Sequence, residues 1–90
     1  MKAKTLQTKV ARGTPIYVRY KDHILFKDVK AEDCLPWIRE TRGWLDYEDD
    51  KCIRIIWERS CQPHLNVEAT LRQTGIVILK ATILEVKADV

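Results

Sequence analysis

The stretch GWLDYEDDKCIRIIW, residues 43–57, constrains this chain more than any other, because two apolar runs flank a tight cluster of acids. Successive side chains of a strand point to opposite faces, so the pairing register decides which residues share a side. If Asp49, Asp50 and Lys51 form a three-residue hairpin loop, Tyr47 falls opposite Ile53 and Leu45 opposite Ile55. Leu45, Tyr47, Ile53, Ile55 and Trp57 then share one face, which is what a core requires. A two-residue loop would mix the isoleucines with Asp46 and Glu48. On the opposite face the favoured register sets Asp46 against Arg54, a cross-strand pair worth about 0.2–1 kcal/mol. It also sets Trp44 against Ile56, an apolar pair among charges. That pair needs a cover from elsewhere in the chain, from another subunit or from a partner. The acids at the tip are turn chemistry, since Asp bonds its own backbone two residues on and keeps a loop in water.

The remaining segments supply partners for this hairpin. PIYVRY, residues 15–20, is β-branched and aromatic and reads as a strand, with HILFKDV, residues 23–29, continuing it. KAEDCLPWIRE, residues 30–40, reads as a loop with room for one helical turn at Ala31–Cys34 before Pro36. SCQPHLNVEATLRQT, residues 60–74, is a polar connector. GIVILKATILEVKA, residues 75–88, holds a strand at Ile76–Leu79, a tight turn or 3₁₀ step at Lys80-Ala81-Thr82, and a last strand at Ile83–Val86. Residues 1–14 show neither period and end in Gly13-Thr14-Pro15, so they are expected to form a flexible basic arm ahead of a domain over residues 15–90.

Ninety residues, 46% hydrophobic and 32% charged, suit one small soluble globular domain. No apolar run approaches the roughly 20 residues of a spanning helix. The N-terminal residues lack the continuous apolar stretch of a secretory signal, so a cytoplasmic location is expected. Three cysteines at irregular spacing (Cys34, Cys52, Cys61) fit reduced thiols better than a disulfide framework. The net charge is +3, and removing the arm's four cations (Lys2, Lys4, Lys9, Arg12) leaves −1 for residues 15–90. The expected folded part is therefore not basic.

TRGWLDYEDDKCIRIIWERS followed by GIVILKATILEVK resembles a group of small uncharacterised archaeal and bacterial proteins, over roughly Pro15–Lys87. In that group a strand opening Gly-Trp-Leu leads through an acidic turn to a second apolar strand. A loop, a strand, a Lys-containing turn and a terminal strand follow. The resemblance implies a mainly β fold: a single small five-stranded SH3-like or Sm-like barrel with a 3₁₀ turn before the last strand. It implies no activity. The basic arm and SCQPH, residues 60–64, depart from the group's pattern.

Specific chemistry is hard to place on these residues. The three glycines are too far apart for a phosphate-cradling loop, and there is no Gly-x-Ser-x-Gly or His-Glu-x-x-His motif. Cys61 and His64 could pair, but a nucleophile also needs an orienting group and an oxyanion site. Cys34, Cys52, Cys61 and His64 would make a Cys₃His zinc set with only one closely spaced ligand pair where structural sites usually have two. Free thiols are expected, with no metal, no cofactor and no small-molecule substrate. The leading reading is a non-catalytic module that binds a protein or itself, with Trp37, Trp44 and Ile56 as apolar anchors. The alternative is an RNA- or DNA-binding barrel whose phosphate contacts come from Lys2, Lys4, Lys9, Arg12, Arg39 and Arg42, with bases stacking on the tryptophans.

Overall fold

The computed structural model describes residues 6–60 and 72–89. Five strands appear in it: β1 (Pro15–Asp22), β2 (Trp37–Glu48), β3 (Cys52–Arg59), β4 (Gln73–Leu79) and β5 (Ile83–Ala88). Short 3₁₀ turns lie at Ala31–Asp33 and Lys80–Thr82, and the described residues hold no α-helix. None of them is long and apolar enough as a helix to cross a membrane.

The strands form one antiparallel sheet in the order β4-β3-β2-β1-β5. This order makes β4 and β5 the two edges, yet only Lys80, Ala81 and Thr82 separate them in the chain. In a flat sheet the edges would stand roughly 19 Å apart, whereas three residues of 3₁₀ turn rise only about 6 Å. The sheet must therefore curl until its edges approach each other. It does not close. No ladder joins β4 to β5, and a cleft of about 170 Å3 opens between Tyr20–His23 and Ile76–Leu79.

The concave side holds the core. Ile16, Val18 and Tyr20 alternate inward from β1, and they meet Leu45 of β2, Ile53 and Ile55 of β3 and Ile78 of β4. Val10, Ile76, Ile83 and Val86 pack against this cluster from its margins. Burial of each such aliphatic side chain contributes roughly 1.5–3 kcal/mol. Leu45, Ile53 and Ile55 stand where parity places them, and Trp44↔Ile56 and Leu45↔Ile55 pair in the expected register.

Two members of the expected core face are exposed instead, each because of a bulge. Between Leu45 and Tyr47 the β2–β3 register shifts by one, so Tyr47 faces Arg54 and Glu48 faces Ile53. A one-residue shift exchanges the faces of every residue beyond it. Tyr47 thus turns outward, with the Arg54 guanidinium 5.0 Å from its ring centroid, and Glu48 turns inward. A second shift, between Ile56 and Glu58 on the β4 side, leaves Trp57 unpaired and 44% exposed. The expected Asp46–Arg54 pair does form, with Arg54 Nε 2.6 Å from Asp46 Oδ2.

Residues 23–29 are not the expected strand continuation. β1 stops at Asp22, and the chain runs irregularly to β2, which begins at Trp37, earlier than the expected Gly43. Ile24-Leu25-Phe26 lacks the alternation of a half-buried strand, and Asp28 adopts a left-handed φ of 58°, a turn conformation that Asp tolerates.

Nor does the N-terminal segment run free over its described part, although it was expected to be a flexible arm. Gly13 N–H donates to the Leu45 carbonyl (2.6 Å), and Leu45 N–H donates to that of Thr14 (2.9 Å). Thr8 donates to both carboxylate oxygens of Glu48, through its hydroxyl at 2.6 Å and its backbone N–H at 3.1 Å. Lys80 Nζ donates to the Leu6 carbonyl at 2.5 Å. The inward turn of Glu48 at the bulge creates this anchorage.

Candidate functional site

Among the described residues, the densest group of exposed apolar side chains lies between β1 and β2. Leu25 is fully exposed, and Phe26, Val29, Leu35, Trp37 and Ile38 each keep more than half of their surface in contact with solvent. The two strands pair along their whole length, from Pro15↔Trp44 to Asp22↔Trp37. The first four residues of β2 are all exposed, however, so this end of the ribbon projects past the core. The connecting loop folds into two limbs, Ile24–Val29 and Asp33–Trp37, which line a cleft of about 520 Å3. The Ala31–Asp33 turn joins them, and the Cys34 thiol donates to the Lys30 carbonyl (3.5 Å). Exposed apolar residues gathered in this way form a contiguous patch, unlike the singly scattered hydrophobes of an ordinary surface.

The three expected anchors occupy different settings. Trp37 belongs to this surface, with the Arg39 guanidinium 5.1 Å from its ring centroid. Trp44 lies half-buried on the convex face of the sheet beneath Arg59, whose guanidinium sits 4.4 Å from the ring centroid. Ile56, paired with Trp44, is only 5% exposed and has almost no surface to offer a partner. The Trp44–Ile56 patch is covered to that extent within the chain. Leu25, Phe26, Val29, Leu35 and Ile38 do not figure among the expected anchors. The run of three apolar residues at 24–26 without alternation, followed by Pro36, is the sequence signal that distinguishes them from a core strand.

Of the six cations expected to meet phosphates, four lie among the described residues and three of those are engaged. Arg12 pairs with Asp46 (3.5 Å), Arg39 with Asp22 (2.8 Å) and Arg42 with Asp89 (3.3 Å). Arg42 and Lys87 also lie over the ring of Tyr17, at 4.9 and 5.2 Å from its centroid. The Tyr17 hydroxyl donates to Glu40 Oε2 (2.8 Å), and that hydrogen bond, with burial, raises its pKa. Lys9 is exposed, with a left-handed φ of 55°. Lys2 and Lys4 lie outside the described residues.

The acid cluster at the hairpin tip is a turn. Asp49 Oδ1 accepts the backbone N–H groups of Lys51 and Cys52 at 2.8 Å each, and Oδ2 accepts the Tyr47 hydroxyl at 3.0 Å. These bonds hold the Asp49 carboxyl well below the usual range, at about 2. Burial raises the Cys52 thiol and Asp49 raises it further, so Cys52 is a poor thiolate and a poor nucleophile. Cys34 and Cys52 are free, and no three His, Cys, Asp or Glu side chains cluster as a metal site would need among the described residues. Cys61 and His64 lie outside those residues. Comparison of the chain with protein-family models, with curated proteins and with solved structures gives no match.

Proposed function

We propose that this chain is a non-catalytic, cytoplasmic interaction module that binds protein through the projecting loop between β1 and β2, with Leu25, Phe26, Leu35 and Trp37 as anchors. The observation that carries the reading is the exposure of six large apolar side chains within residues 25–38. Burying each would contribute roughly 1.5–3 kcal/mol on association. Rigid aromatic anchors beside a cleft are also the usual centre of a protein interface. The strand order, and the 3₁₀ step between β4 and β5, support kinship with small SH3-like or Sm-like barrels. Such kinship supplies a scaffold and no activity.

The nucleic-acid reading is the weaker of the two, because Arg12, Arg39 and Arg42 each pair with an aspartate of this chain. A phosphate would have to displace those carboxylates. Capture from lysate of the source organism separates the two readings. With immobilised wild type, a protein partner should be retained after nuclease treatment and in high salt, and lost with Leu25→Asp or Trp37→Ala. Capture that disappears on nuclease treatment, or falls steeply with ionic strength, is the signature of phosphate contacts and would replace this reading with the alternative.

A further inference from the structure

We infer that the occupant of the projecting loop is a second copy of the same loop, so that the chain forms a two-fold dimer through residues 24–38. The inference rests on the reading of this loop as a protein-binding surface, and it names the partner. A two-fold interface brings the same patch of both subunits together, so the patch must complement itself. This one does so in shape, charge and size.

In shape, the patch contains both a cleft and a knob. The limbs Ile24–Val29 and Asp33–Trp37 enclose about 520 Å3, and Leu25 is fully exposed on one of them. Each copy can receive the other's leucine.

In charge, the loop is divided about its midpoint. Lys27 and Lys30, with Asp28 between them, precede Ala31 for a net +1, and Glu32 and Asp33 follow it for a net −2. All five are exposed, and none makes an ion pair among the described residues. Antiparallel apposition about an axis near Ala31 sets the lysines of one copy against the acids of the other. With Asp28 the loop's charges sum to −1, two cations against three acids, so a surface of single sign gains no such match. An anionic bilayer or a phosphate backbone is not attracted. A second copy satisfies both halves at once, and electrostatic complementarity of this kind fixes register more than affinity.

In size, six large apolar side chains more than half exposed offer on the order of 100 Å2 each. Several hundred Å2 of apolar surface with a charged rim approaches the ~800 Å2 per partner of a standard interface.

The test is sedimentation of the full chain over a concentration series. Wild type should dimerise reversibly. Leu25→Asp, a change at a fully exposed position that leaves folding intact, should raise the dissociation constant by at least about a hundredfold, because two leucines leave the interface together. Lys27→Glu/Lys30→Glu and Glu32→Lys/Asp33→Lys should each favour monomer, and an equimolar mixture of the two should recover a heterodimer. That recovery is specific to this apposition. The inference is overturned if wild type stays monomeric at every concentration, if the dimer ignores Leu25→Asp, or if the charge-reversed mixture fails to associate. It is also overturned if the chain sediments with phosphatidylserine vesicles through Leu25 instead of with itself. A monomeric wild type that loses capture of a lysate protein on Leu25→Asp would refute the dimer while leaving the loop a protein-binding surface.

Discussion

Lys80 Nζ lies 2.7 Å from Glu48 Oε2, joining the 3₁₀ turn between the edge strands to the tip of the central hairpin. The lysine side chain is 7% exposed and the glutamate 23%. The same two groups hold the N-terminal segment, Lys80 through the Leu6 carbonyl and Glu48 through Thr8. Removing one partner leaves the other's charge poorly solvated. Lys80→Met should therefore cost about 2–3 kcal/mol, less than a fully buried pair because Glu48 keeps some contact with water. It should also speed hydrogen exchange at the Thr8 amide. The double variant Lys80→Met/Glu48→Leu should regain part of the loss. Equal urea midpoints for wild type and Lys80→Met would show that the pair contributes nothing.

Acid should loosen the hairpin end in a defined window. Burial alone would raise Glu48, but its bonds from Lys80 and Thr8 prevail and lower it. The hydrogen bond from Arg54 lowers Asp46, and the backbone N–H groups of Lys51 and Cys52 hold Asp49 at about 2. Each folded pKa lies below its unfolded value, so the unfolded chain takes up protons first as pH falls. The stability these groups provide is complete above the ordinary carboxylate range, about pH 4, and is lost as pH drops towards 2. Urea midpoints between neutral pH and about pH 2 should decline in that window. Asp49→Asn keeps an Oδ1 acceptor for both backbone groups and should flatten the last part of the decline. Asp49→Ala should lower the midpoint at neutral pH as well. A midpoint that stays constant down to about pH 2 contradicts the assignment.

Parity reached what depends on near neighbours. Leu45, Ile53 and Ile55 are buried, Asp46 meets Arg54, and the step at Lys80–Thr82 falls where it was expected. It failed where a distant residue decides. Nothing within residues 43–57 indicates that Glu48 should turn inward, because Lys80 and Thr8, which receive it, lie 32 and 40 positions away. Once it turns, the bulge follows and Tyr47 is expelled. The projecting loop is not legible from local pattern for a related reason. Apolar residues at 24–29 satisfy a strand template, and only the fold shows that no described element lies over them. The Trp37 exposure depends on β2 outrunning the core, a length that composition does not specify.

Close strand approach on both sides of β3 leads to a further prediction. A Cβ at Gly75 would overlap the Ile55 carbonyl oxygen, and one at Gly43 would lie 2.6 Å from both Ile55 Cγ2 and the Ile56 carbonyl oxygen. Backbone cannot yield as a flexible side chain can. Gly75→Ala should cost about 3 kcal/mol or more by forced displacement of β4, and Gly43→Ala about 2–3 kcal/mol. Gly13 has open space around it but a φ of +90°, so Gly13→Ala should cost about 1 kcal/mol through backbone strain alone. Thermal unfolding of the three variants gives the order, and a neutral Gly75→Ala would mean that β3 and β4 do not approach as closely as described.

Ile55 and Trp57 share a parity on β3, and their burial differs because of the bulge beside Trp57. Ile55 is fully enclosed, whereas Trp57 is 44% exposed. Ile55→Ala removes three heavy atoms from a packed core and leaves a cavity, for a loss of about 3–4 kcal/mol. Trp57→Ala removes far more atoms from a site already open to water, so its loss should be only about 1–2 kcal/mol, below the 3–5 kcal/mol of a tryptophan truncated in a core. Trp44→Ala should fall between them, since the ring is half-buried and also carries the Arg59 guanidinium, worth roughly 0.5–1 kcal/mol. Urea unfolding with m-values compared across the three variants tests the order, because an altered m would signal a change of compactness instead of lost packing. Fluorescence of the monomer, at concentrations below dimerisation, gives an independent check: Trp57→Ala should delete the tryptophan emission most readily quenched by iodide after that of Trp37. A Trp57→Ala variant as unstable as Ile55→Ala, with its quenchable emission unchanged, would place Trp57 in the core and remove the bulge between Ile56 and Glu58.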